Sequence, residues 1–298
     1  MHRKSFIKAL AAGTTFAGLL SDTSSASNRD TQEITPEKLR RRIRALVRWV
    51  EQGFTGGKVN LLSNLPSGLT YGGTDREDLK NLYWLQNCNL FATHALRVYS
   101  PNLAREIKES YDHWYRTEFP DVNERTEHYL AVGQLPGHTP PEGSYFRAVI
   151  KRKEFDGFTI GTETYDPDNL GRITDKDPRS LLKFGALGCQ LRGKPREAKE
   201  YFEKALALWD GTGFTNTRMD RHGGYYNPPI SLSFIAAHAL GAPLPVELRQ
   251  QMEKRLWACQ DVDGGIWTNY LPDGSIPHFG KKSMEIGPLT LLAYSPKS

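Results

Sequence analysis

Ten residues, Arg218 to Asn227 (RMDRHGGYYN), gather more chemistry than any other stretch of this 298-residue chain. Arg218 and Arg221 each offer a guanidinium that can grip a carboxylate through two parallel hydrogen bonds. His222 and Tyr225 are groups that move protons, and Asn227 can hydrogen-bond a developing enolate. His222, Tyr225, Arg221 and Asn227 form a candidate catalytic set, with Arg218 and Tyr226 as binding groups. The same ten residues also suit a turn-rich loop that packs two tyrosines and leaves two arginines in water.

Carboxylates form a second constellation. Glu163, Asp166 and Asp168 lie in GTETYDPDN, Asp263 and Asp273 in a late loop, and Glu285 begins an apolar run. Two such groups facing each other across a cleft serve as acid and base on a glycosidic bond. Glu163, Asp263 and Glu285 are therefore candidate substrate contacts, with Trp267 and Tyr270 as stacking platforms for sugars. Glu285 heading an apolar segment either caps it or is a buried carboxylate in need of a partner. His94 in ATHAL and His238 in AAHAL hold the same place in two segments and read as core histidines. Cys259, Asp261 and His278 have the wrong spacing for a zinc site, and no phosphate-binding glycine loop occurs. No metal and no cofactor are expected.

These groups must be positioned by a repeat. GFT occurs at 53–55, 157–159 and 213–215, and GIWT at 265–268. Phe158 and Phe214 are 56 residues apart, Phe214 and Trp267 are 53, and Phe54 and Phe158 are 104, about two periods. A helical pattern precedes each copy (RALVRWVEQ, RAVIKRKEFD, KALALWDGT, RLWACQDVDG), and the glycine reads as a left-handed helix stop. A long polar loop follows, then an apolar helix: 81–96, 180–191, 230–240 and 285–294. Apolar residues all round imply burial on every side. Helices such as 195–209 and 244–258 carry charge on one face and belong outside. A degenerate copy through 102–117 and 122–132 makes five hairpins. The expected fold is all-α, an α/α toroid of about five helical hairpins with the long loops on one rim. Phe54, Phe158, Phe214 and Trp267 should then fill equivalent buried corners.

CQDVDGGIW at 259–267 resembles the Q-x-x-D-G-G-[FW] repeat of the terpenoid cyclase and protein prenyltransferase superfamily. The resemblance implies a toroid in which Gln260 and Trp267 tie helices together. By architecture and composition the chain is also similar to exported five-hairpin toroids that cleave acidic polysaccharides by β-elimination with His, Tyr, Asn and Arg. Terpenoid cyclases need an aspartate-rich acid motif, and no D-x-D-D appears.

Residues 1–26 read as an export signal: a basic start (Arg3, Lys4, Lys8), a short apolar run, and a small-residue site before Ser27. HRKSFIK is similar to a twin-arginine signal with lysine in the second place. Removing Arg3, Lys4, Lys8 and Asp22 lowers the net charge from +5 to +3. A linker at 27–35 and one domain at 36–298 follow. Arg40, Arg41 and Arg42 lie in an amphipathic pattern that reads as a solvated helix face, so no nucleic acid partner is expected. No segment is long enough to make a stable membrane span. Cys88, Cys189 and Cys259 read as buried thiols. The expected function is an exported enzyme acting on a polysaccharide or other ligand in the rim cleft, leaning to lyase over glycoside hydrolase. An isoprenoid cyclase lined by Trp84, Phe91 and Phe234, and a non-catalytic binding toroid, are the rivals.

Overall fold

A computed structural model describes residues 34–63, 81–122, 126–138, 140–141, 143–173, 181–214, 224–277 and 280–295. The export segment and Arg218, Arg221 and His222 lie outside the described residues.

The helices fall where apolar patterning puts them. Helix α1 (Pro36–Gln52) starts with Thr35 Oγ1 accepting the Lys38 N–H at 3.2 Å and with proline in its first turn. Leu46, Val47, Trp49 and Val50 form its buried face. Helices α2 (Phe91–Tyr99), α5 (Leu181–Leu191), α7 (Pro228–Ala239) and α9 (Ile286–Ala293) are the apolar ones. They pack side by side in the order α2, α9, α7, α5 and hold the core. Helix α3 (Pro101–Glu118) packs on α2, α6 (Pro195–Leu206) on α5, and α1 on α9. Between α3 and α5 lies one short helix, α4 (His128–Ala131), and α8 (Val246–Ala258) precedes the last loop. Gln260 ties that loop to α1: its Nε2 donates to the carbonyls of Arg42 and Gly264, each at 2.9 Å.

The expected all-α toroid does not hold, because the chain is α/β. Strands β1 (Phe54–Thr55) and β2 (Leu61–Leu62) pair antiparallel. Strands β3 (Leu82–Trp84), β4 (Ser144–Phe155) and β5 (Phe158–Arg172) form a sheet in the order β3-β5-β4. β3 runs parallel to β5, and β4 antiparallel. Strands β6 (Tyr225–Tyr226) and β7 (Asn269–Tyr270) make a third, two-residue ladder. The segment RAVIKRKEFD, expected as a helix, is most of β4. Phe155 pairs with Phe158 across Asp156-Gly157, a two-residue turn with Gly157 at φ +82°. Asp-Gly between strands is a strong hairpin signal, and Val149, Ile150, Thr159, Ile160 and Thr162 suit the pleat.

The repeated aromatics are therefore not equivalent. Phe214 is buried under Lys183, while Phe158 stacks on Phe155 beside the hairpin turn and is only half-buried. Phe54 and Trp267 are also half-buried, and Ile266 fills the core in place of its neighbour. Nor is Gly53 a left-handed stop, since its φ is −75°. A Cβ at Gly53 would meet the Met284 methyl, the mobile end of a flexible side chain.

Candidate functional site

The site starts where β3 stops. Had β3 continued alongside β5, residue 86 would lie opposite Glu163. Instead the chain winds into a six-residue π turn, Leu85–Leu90, that leads straight into α2. Single π turns inside helices recur at functional sites. Asn89 fastens this one, donating to the carbonyls of Trp84 at 2.8 Å and Leu62 at 3.2 Å and accepting the Leu62 N–H at 2.8 Å. Gln86 Oε1 accepts the Glu163 N–H at 2.8 Å. That bond fixes the amide, and its Nε2 is buried with no hydrogen-bond partner among the described residues.

Glu163 and Tyr165 share one face of β5, by the two-residue period of a strand. Glu163 Oε2 lies 3.5 Å from His128 Nδ1, and Tyr165 donates to Glu127 at 2.7 Å. The His128 ring sits between Phe91 and Phe184, and its Nδ1 is 3.1 Å from Thr126 Oγ1. His128 and Glu163 keep 13% and 16% of their side-chain surface exposed, although protein surrounds them closely. Neither is sealed from solvent.

Glu285 and Glu127 come close enough to this pair to bias its charge, and Lys281 acts in turn on Glu285. Glu285 stands at the N-cap of α9, yet its side chain makes no capping hydrogen bond. Burial lifts it above the usual carboxylate range, with His128 and Lys281 pulling back. Burial also lifts Glu163, against the pull of His128. For His128 burial acts downward, but Glu163, Glu127 and Glu285 together outweigh it and raise the imidazole above its ordinary value. Three carboxyls, one imidazole and one ammonium cannot all be charged without an excess of negative charge. Burial and mutual repulsion therefore favour protonation of a carboxyl here. Burial and Glu285 push the Cys88 thiol well up, so it is no activated thiolate.

A cavity of about 250 Å³ opens beside this cluster, with Glu127, Tyr165 and Phe184 in its wall and Leu130, Phe146 and Tyr201 around them. That is close to the lower bound of small-molecule sites, roughly 300 Å³. Trp84, Phe91 and Phe234 do not line it.

Of the carboxylates named from the sequence, Glu163 and Glu285 meet here. The other described candidates group elsewhere, around β6 and β7. Tyr225 donates to Asp210 at 2.5 Å and stacks on Tyr270. Tyr270 is no sugar platform: it is fully buried, and its hydroxyl donates to the Thr212 carbonyl at 3.0 Å. Tyr226 pairs with Asn269 in the ladder. Asn227 is buried, donates to the Trp267 carbonyl at 2.6 Å, and has no partner for its Oδ1 among the described residues. Asp263 pairs with the buried Lys282 at 2.5 Å and caps the Gly265 N–H at 2.9 Å, so its carboxylate serves the loop. Lys282 also lies over the half-buried Trp267 ring. His94 and His238 share the wall of a second cavity, of about 590 Å³, with Arg97 and Gln190. Burial, then Arg97 and Lys108, bring His94 down to about 4.

Gln86, Glu127, His128 and Tyr165 were not foreseen. The signal for the first was present: Gln86-Asn87-Cys88-Asn89 interrupts an otherwise apolar helix. Among the described residues no three His, Cys, Asp or Glu side chains form a metal-holding group, and no helix is long and apolar enough to cross a membrane. Comparison with the profiles of known families, with curated proteins and with solved structures finds no match.

Proposed function

We propose that this chain is an exported enzyme that hydrolyses glycosidic bonds in a neutral polysaccharide, with Glu285 as the acid and Glu163 as the nucleophile or base. One observation supports this reading: two carboxyls in unlike surroundings lie within electrostatic reach of one imidazole. Glu163 has His128 beside it, which favours its ionised form. The Glu285 side chain has no hydrogen bond or ion pair among the described residues, and burial favours its protonated form. Unlike environments for paired carboxyls are how acid and base roles are divided. Glu285 gives its proton to the glycosidic oxygen, while Glu163 attacks the anomeric carbon or activates water.

Electrostatics favours hydrolysis over the elimination to which the sequence leaned. A uronate approaching this cluster of carboxyls would meet repulsion, whereas a neutral sugar would not. A second reading has one observation behind it. The apolar walls Leu130, Phe146, Phe184 and Tyr201, beside a protonated carboxyl, also suit protonation of an isoprenoid alkene.

The test is reducing-sugar release from a panel of neutral and uronate polymers. Glu285→Gln and Glu163→Gln should each lower turnover of a neutral polymer by about 10²–10⁴. Elimination products from uronates that survive both substitutions, or turnover of an isoprenoid alone, would displace the hydrolase reading.

A further inference from the structure

Strand β4 is the outer strand of its sheet. Eight consecutive residues, 147–154, are exposed on both faces. At their centre Val149 and Ile150 are 39% and 53% exposed. β4 ends its sheet, so among the described residues its second edge carries no strand. Proteins blunt such an edge by shortness, proline, bulges or charge; this twelve-residue strand is long and free of proline, so an irregularity at Phe146/Ala148 and its charged side chains are what guard it.

Its charge is one-sided: Arg147, Lys151, Arg152 and Lys153 against Glu154. Lys153 lies 3.3 Å from Glu118 and Arg152 over the Trp84 ring, while Arg147 and Lys151 make no ion pair among the described residues. These cations oppose self-pairing. An antiparallel copy centred between Val149 and Ile150 would set Arg147 opposite Arg152, and one centred on Lys151 would set Lys151 opposite itself. Like charges directly opposite destabilise a pair of strands. An acidic strand would reverse each of those contacts.

We infer that the free edge of β4 binds an extended acidic protein segment by strand addition. Its backbone completes the ladder, its carboxylates meet Arg147, Lys151 and Arg152, and an apolar side chain covers Val149 or Ile150. A basic face alone would accept an acidic polysaccharide equally well. The unpaired row of backbone N–H and C=O groups favours a peptide, because only a peptide repeats donors and acceptors in register with a strand.

The probe is an eight-residue peptide alternating glutamate and valine, titrated against the full chain by calorimetry. One-to-one binding is expected, weakened at least about tenfold by 0.3 M salt and by the double substitution K151E/R152E. A peptide N-methylated at every second residue, which keeps its charge but cannot form the ladder, should not bind. Amide exchange over 147–154 should slow when the unmodified peptide is present. The substituted residues are exposed, so an unchanged melting temperature checks that the variant is folded. Equal binding of the N-methylated peptide, binding of a polyuronate but not the peptide, or no binding of either would each overturn the proposal.

Discussion

The side-chain carbonyl of Gln86 occupies the position that the next residues of β3 would have taken beside Glu163. A strand edge is completed by an amide side chain, and the carboxylate next to it is held without a further strand. Replacing Gln86 with Met keeps the volume and removes the acceptor. The Glu163 N–H would then be left unpaired at a cost of about 1–3 kcal/mol, read as a lower denaturant midpoint at unchanged slope.

Glu285 should trade stability for chemistry. Its pKa is raised in the folded protein, so folding favours its protonated form. Its contribution therefore becomes less favourable as pH rises from the unfolded value toward the folded one, and stays so above it. Glu285→Gln should raise the melting temperature at pH 7.5 by more than it does at pH 4, while turnover is lost. A Gln variant that melts lower at pH 7.5 would remove the case for a buried, partnerless acid.

His128 carries the opposite sign. Its folded pKa is raised by the surrounding carboxyls, so it contributes stability that is fully present below about 6.5 and is lost as pH rises through the folded value. His128→Gln should thus be more destabilising at pH 6 than at pH 9. Two melting curves for each protein decide it, and a pH-independent difference would show that the imidazole is neutral.

Two glycines with positive φ separate strain from collision. Gly57 has φ +82° and nothing within 4 Å of its missing Cβ, so Gly57→Ala should cost only the left-handed penalty of about 1–2 kcal/mol. Gly264, at φ +98°, would place a Cβ 2.4 Å from the Ala45 carbonyl of α1. Gly264→Ala must therefore also push the last loop off α1 and should be several times more destabilising. Similar midpoints for both variants would mean that the loop yields.

The helices were legible because their apolar patterning is sustained over two turns or more. Prolines in the first turns of α1, α3, α6 and α7 marked starts that tertiary packing did not move. Glu285 could be singled out because a carboxylate heading an apolar run is a physical anomaly. β4 was misread for the opposite reason: a glycine at the repeat's spacing imitated a helix stop, and Asp156-Gly157 was taken as part of that pattern. His128 was out of reach because a four-residue helix has no period to show. The pairing of Gln86 with Glu163, residues 77 apart in sequence, follows from the parallel register of β3 on β5, which no local pattern encodes.

The π turn at 85–90 has a genetic corollary. It holds one residue more than an α-helical path would need, and one residue is about 100° of helix rotation. A single-codon deletion within it would let the helix rewind in the commoner form. The apolar seam of α2 would stay seated, while Gln86 would swing away from Glu163. A one-step lesion of that kind would leave a folded but inert relative, and the reverse insertion is a short route by which a plain helical end can acquire a site.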